Sequence, residues 1–219
     1  MFPNYNKISF YLNKYKQKDP WDLVKLFEKK IANYSGSKYA VSTDCCTNAI
    51  FLCLKYSNKK SSFLTIPENT YVSVMSAIRM AGYKIKLVKQ VWEGSYQLKP
   101  LKIVDSALRF RSNMYISKTL MCLSFHHRKH LPIGRGGMIL TNSFKAYNWL
   151  VKARYDGRDM SKNFTKDKIK SVGWHMYMTP EQAVKGLDLL SKISKNNKDL
   201  GGSDNYKSLK SLVSVYNKL

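Results

Sequence analysis

Short apolar segments with the character of strands alternate along this chain with longer amphipathic ones, and that alternation constrains the fold more than any other feature. Strands separated by helix-length segments must cross over between pairings, which predicts an α/β fold around a mainly parallel sheet. Asp19-Pro20 followed by Trp21, Leu23, Val24, Phe27 and Ile31 reads as a capped amphipathic helix, with proline in its first turn and Gly36 just beyond its end. A strand over residues 39–43 follows, then a buried helix over 47–56 carrying Ala49, Ile50, Leu52, Cys53 and Leu54. Residues 62–67 are strand-like, 69–81 helical with Gly82 as the stop, and 84–89 alternate like another strand. Further strands are expected over 101–105, 121–125 and 138–141, then a helix begun by Ser143 and closed around Gly157, and a last helix from Pro180. Functional groups of such sheets gather beyond the carboxyl ends of strands, which singles out Thr43, Asp105 and Phe125.

The chain has 219 residues, 44% of them hydrophobic, enough to bury one substantial core. We divide it into a large domain over residues 1–190 and a short basic tail over 191–219. The tail is rich in Lys, Asn, Ser and Gly, and reads as loose or partner-dependent. The 38 Lys+Arg against 14 Asp+Glu, a formal charge of +24, would draw in phosphates, nucleotide-linked ligands or nucleic acid. The lysines lie singly on solvated faces and in the tail rather than in one basic block flanked by aromatics, which disfavours dedicated nucleic-acid binding. Cys45, Cys46, Cys53 and Cys122 have neither the paired spacing of a zinc site nor a secreted disulfide framework, so no metal is expected and the setting should be reducing and cytoplasmic. No stretch approaches the roughly 20 apolar residues that span a bilayer.

The segment Ser124-Phe-His-His-Arg-Lys129-His-Leu-Pro-Ile-Gly134-Arg-Gly136-Gly137 carries the most chemistry. A lysine held between a buried strand and a glycine turn can be desolvated and ringed by cations, which lowers its pKa and frees a nucleophilic amine for imine chemistry. On the residues alone a surface lysine beside a tight turn is the commoner case. Likewise Asp105 reads alone as a cap or turn former, Thr47 as part of an ordinary capped helix, and Tyr71 as core.

The segment resembles the Schiff-base signature of the DegT/DnrJ/StrS aminotransferases, Ser-Phe-His-x-x-Lys-x-x-x-x-Gly-x-Gly-Gly, at every defined position. The resemblance implies that Lys129 holds pyridoxal 5′-phosphate and shuttles a proton during transamination, and that Ser124 donates to the cofactor phosphate. Relatives that work as dehydratases carry a histidine in place of this lysine, so transamination is favoured over deoxygenation. Asp105-Ser-Ala107 resembles the Asp-x-Ala segment whose aspartate pairs with the pyridinium nitrogen, with Leu108 where a glutamine is usual. Cys45-Cys46-Thr47-Asn48-Ala49 stands where the family has Ser-Gly-Thr-x-Ala, a helix amino end that holds the phosphate, with Cys46 in place of glycine. Pro67-Glu-Asn-Thr70-Tyr71 resembles the stretch that lays an aromatic ring, Tyr71, flat on the cofactor. Gly173-Trp-His175-Met-Tyr177-Met178 resembles a segment whose asparagine reaches the neighbouring subunit's phosphate; His175 stands there, and Tyr177 replaces an arginine.

The likeness covers residues from about 27 to about 190 and implies the type I aminotransferase large domain, a central, mostly parallel sheet of about seven strands with helices on both faces. It implies a homodimer that moves an amino group from an amino acid, usually L-glutamate, to a nucleotide-linked keto-sugar. The alternative is a non-catalytic binding or scaffold protein derived from such an enzyme.

Overall fold

A computed structural model describes residues 5–58 and 63–218; Ser62, expected to open a strand, lies outside them. The elements run α1 (Tyr5–Tyr15), α2 (Pro20–Ser35), β1 (Tyr39–Thr43), α3 (Cys46–Ser57), β2 (Phe63–Pro67), α4 (Ser73–Met80), β3 (Lys84–Val88), β4 (Tyr96–Leu98), β5 (Ile103–Asp105), β6 (Leu120–Ser124), β7 (Gly137–Thr141), α5 (Phe144–Ala153), α6 (Pro180–Leu190) and α7 (Val213–Lys218). Local signals set many of these ends. The Asp19 side chain accepts from the Trp21 N–H at 2.9 Å to start α2, and Gly36, at φ 80°, returns its N–H to the Ala32 carbonyl to stop it. Thr179 and Gln182 form a reciprocal capping box that opens α6 behind Pro180.

The sheet order is β1-β7-β6-β5-β4, with β2-β3 as a separate parallel pair. An antiparallel bridge between Thr65 and Lys99 joins the two pieces at β4. The sheet of about seven strands that the resemblance implies is thus found as five strands and a separate pair, and the pairing is mixed: only β5–β6 and β2–β3 lie parallel. Direction still follows the α/β expectation. β1 runs antiparallel to β7 and β7 antiparallel to β6, so β1, β6 and β5 share one direction; the bridge gives that direction to β2 and β3 as well. Only β4 and β7 oppose them. The short β4 was not legible, because three residues are too few to show a period.

Alternation along β6 and β7 splits the core into two layers. Cys122 and Ile139 face a cluster with Ile50, Leu54, Met75, Ile78 and Leu150, whereas Met121, Leu123, Met138 and Leu140 face Leu23, Phe27, Ile31, Phe125 and Leu187. Helices α3, α4 and α5 thus cover one face, and α2 and α6 the other. Each fully buried Leu, Ile or Phe contributes about 1.5–3 kcal/mol by leaving water. Among the described residues no helix is long and apolar enough to cross a membrane.

Two expectations fail. The helix expected over 69–81 begins only at Ser73, because the backbone of Asn69 is drawn away: its carbonyl accepts from Trp92 Nε1 at 2.9 Å, and it bridges to Ser208. The segment after α6 is also not loose. Arg109 Nη2 pairs with Asp199 at 2.5 Å, the Leu200 N–H donates to the Leu108 carbonyl at 2.9 Å, and Leu209 is buried.

Candidate active site

The carboxyl ends of β1, β5 and β6 open on a cavity of about 550 Å³. Lys129 reaches it from the loop after β6. That loop is pinned at its base, where the Phe125 N–H donates to Gly136 O at 2.9 Å and the Gly134 N–H returns to Phe125 O at 3.2 Å. Phe125, Leu131 and Ile133 are buried and anchor the loop in the core, with the Phe125 ring 5.6 Å from that of Phe27. Gly137 lets β7 pass under the turn that leads into α3: a Cβ there would stand 2.5 Å from the Cys45 carbonyl carbon. Gly137 thus serves a close approach between the end of Lys129's loop and the amino end of α3, while Gly134, at φ 114°, turns the loop itself.

Asp105, at the end of β5, is buried and holds its carboxylate on neutral donors. Its Oδ1 accepts from the Ala107 N–H and its Oδ2 from the Tyr96 hydroxyl, each at 2.9 Å; Tyr96 in turn shares a 2.7 Å bond with Thr70 Oγ1. Burial pushes the Asp105 carboxyl above its ordinary value, against the pull of those donors and of Lys129. Burial lowers the Lys129 pKa, and Asp105 and Cys46 oppose that shift. His126, at the rim, is lowered by partial burial and by the charge of its neighbours His127, Lys129 and Arg128. Desolvation drives the Cys46 thiol well up, so it remains neutral.

At the other end of the cavity two helix amino ends converge. Neither α3 nor α4 has a side-chain cap, and Thr47 Oγ1 lies 2.7 Å from Ser73 Oγ between them. The uncapped amino end of α3 and the two hydroxyls make a cradle for an anion, whereas the first turn of α4 returns its Val74 and Met75 N–H groups to the Tyr71 and Val72 carbonyls. Ser124 lines the same cavity. Tyr71 is not core: its side chain is 59% exposed at the mouth.

The model of the DegT/DnrJ/EryC1/StrS aminotransferase family matches residues 12–112 and 116–201. The chain belongs to this family. Its fold is similar to that of AtS13 from Actinomadura melliaura (16% identity, TM-score 0.70, 86% of this chain and 64% of that one). It is similar too to Helicobacter pylori PseC, an aminotransferase involved in the biosynthesis of pseudoaminic acid (16% identity, TM-score 0.64, 88% and 63%). A third likeness is to the E. coli GDP-4-keto-6-deoxy-D-mannose-3-dehydratase with bound hydrated pyridoxal phosphate (16% identity, TM-score 0.64, 86% and 64%). The chain spans less than two thirds of the length of these structures. No curated protein sequence matches it significantly.

As a member of this family the chain brings Lys129, Asp105, Ser124, Thr47, Cys46 and Tyr71 to one cavity. His175 is elsewhere. Its side chain is 68% exposed and its Nδ1 lies 3.0 Å from Asp156 Oδ2, in a surface cluster with Tyr155 and Tyr177. The residues present fit pyridoxal phosphate: an anion cradle between α3 and α4, a buried carboxylate bonded only to neutral donors, and a lysine of lowered basicity. Sequence reasoning missed Ser73, Trp92, Tyr96 and Tyr206, all of which line the cavity or bond to a residue that does. Ser73 had a usable signal, a hydroxyl at the start of an apolar helical run. Tyr206 had none, because it lies in the segment read as loose.

Proposed function

We propose that this chain binds pyridoxal 5′-phosphate through Lys129 and moves an amino group from an amino acid, L-glutamate by preference, to a keto group of a nucleotide-linked sugar. The observation that carries the reading is the half-buried Lys129 of lowered basicity in one cavity with the buried Asp105. When bound, the cofactor supplies an electron sink for the carbanion at the substrate's α-carbon. Asp105 accepts from the protonated ring nitrogen and holds that charge in place. Thr47 and Ser73, with the open amino end of α3, would hold the phosphate, joined by Ser124. Lys129, its basicity lowered by desolvation, would take a proton from the substrate's α-carbon and return it to the cofactor's C4′, two bonds away across the nitrogen. The excess of positive charge suits a diphosphate-bearing substrate. We further propose a homodimer in which the exposed His175 serves the partner subunit's phosphate; a strictly monomeric protein that binds the cofactor tightly, as seen by sedimentation, overturns it.

Leu108 favours a second reading, a non-catalytic binding or scaffold protein, because it puts an apolar side chain on the cavity wall. Colour separates the two. The purified protein should be yellow, and its visible absorption should change when L-glutamate is added. A coloured protein that no amino donor alters is a binding protein that has kept the cofactor, and a colourless one that takes up no pyridoxal phosphate sinks the enzyme and leaves the scaffold.

A further inference from the structure

Residues 199–210 return along the rim of the cavity and are tied down at several points. Arg109 Nε donates to both oxygens of Asp199 at 3.0 and 3.1 Å, and Arg109 Nη1 to Ser95 Oγ at 3.0 Å. The Gly94 N–H donates to Gly201 O at 2.8 Å, the Ser203 N–H to Trp92 O at 2.9 Å, and the Leu209 N–H to Glu68 O at 2.8 Å. Gly202 permits this approach, since a Cβ there would collide with the Trp92 carbonyl oxygen. Asn69 then sets Tyr206: its Nδ2 donates to the Tyr206 carbonyl at 2.8 Å while its own carbonyl accepts from Trp92 Nε1. The Tyr206 ring stacks on Trp92 with centroids 5.9 Å apart and planes at 20°, and meets Tyr71 edge-on at 6.4 Å.

We infer that Tyr206, backed by Trp92, is a cofactor-contact residue supplied by the carboxyl-terminal segment, and that its ring forms a wall against the pyridine ring held at Asp105. The inference rests on the pyridoxal phosphate reading. Tyr206 and Trp92 line the same cavity as Asp105, Cys46 and Lys129. Burial, with the negative charge of Asp105 next, holds the Tyr206 phenol at about 12, so it faces the ring as a neutral group. Leu108, which also lines the cavity, offers only apolar surface, and the segment that bears Tyr206 grips its backbone through Leu200. An aromatic ring already stacked and tethered loses little freedom when a second ring packs on it.

The test is titration of pyridoxal 5′-phosphate into cofactor-free, full-length protein, read by the visible band and by tryptophan emission. Tyr206→Ala should weaken binding about tenfold, the worth of one good aromatic contact, whereas Tyr206→Phe should stay within about threefold of the parent. The phenylalanine variant separates loss of the ring from loss of the segment's fold, which circular dichroism checks in both. Binding by Tyr206→Ala that equals or exceeds the parent's overturns the inference; tighter binding means that the segment obstructs the cavity. If the parent takes up pyridoxal phosphate in a Lys129-dependent way and Tyr206→Ala is unaffected, this inference falls alone. If the parent takes up none, both fall.

Discussion

Two buried carboxylates in this chain have opposite surroundings. Glu28 on α2 is ion-paired with Arg154, their side chains 6% and 4% exposed, and also accepts from the N–H and the hydroxyl of Ser42 at 2.8 and 2.7 Å. Arg154 donates in turn to the carbonyl and hydroxyl oxygens of Ser42, each at 2.7 Å. Asp105 is as deeply buried, yet among the described residues it forms no ion pair and rests on Tyr96 and Ala107. The first carboxylate has its countercharge built into the fold. The second is left above its ordinary pKa, which is a cost to the protein alone and a welcome to a cation from outside. Burial of charge does not by itself mark a site; burial without a countercharge does.

The sharpest way to break this contrast is at the partner groups. Lys129→Ala should abolish the visible band and cut amino transfer on the order of 10,000-fold or more, with thermal stability nearly unchanged, since no neighbouring side chain can present an amine at the same place. A band that persists, and that borohydride still fixes to the protein, makes Lys129 the wrong residue. Glu28→Ala should do the reverse. It strands Arg154 in the core and should lose about 3–5 kcal/mol in denaturant unfolding, while protein that remains folded still takes up cofactor. A loss under about 1 kcal/mol removes Glu28 from the structural role.

Asp105→Asn should leave cofactor bound but lower turnover on the order of 100-fold, because an amide cannot hold the charge on the ring nitrogen. Normal turnover in the folded variant ends that role. The smallest effect has the most telling sign. A carboxyl whose folded pKa is raised binds its proton more tightly in the native state, so ionising it costs stability that is intact below the unfolded pKa, near 4, and is lost as pH rises through the folded value. The cofactor-free Asp105→Asn protein should therefore melt slightly higher than the parent at neutral pH, with the gap closing in acid. The Tyr96 hydroxyl can turn its proton toward Thr70 and accept from one of the two N–H groups of the new amide, which leaves the other to the cavity that this residue lines. A lower melting point at neutral pH would place Asp105 with Glu28 as a structural charge.

Much of this arrangement is written locally. Asp19 and Gly36 bracket α2, Thr179-Pro180 opens α6, and the strand periods place Thr43, Asp105 and Phe125 at or beside the carboxyl ends where such a sheet gathers its chemistry. Those signals act over a few residues, so spacing in the chain is enough to state them, and the motif around Lys129 is likewise contiguous. Spacing cannot say which strand edges meet. The opposed directions of β4 and β7, and the bridge from Thr65 to Lys99, depend on edges left free once the core has packed. The same holds for the site's second half. Thr47 meets Ser73 only because sheet order brings two helix ends together, and Tyr206 reaches the cavity only because the Trp92 and Asn69 backbones are open to receive a segment more than a hundred residues later. The sequence by itself determined most of the elements and, through one contiguous motif, the family; the tertiary structure decided which distant side chains close the cavity, because contacts across such separations follow from collapse and leave no period in the chain.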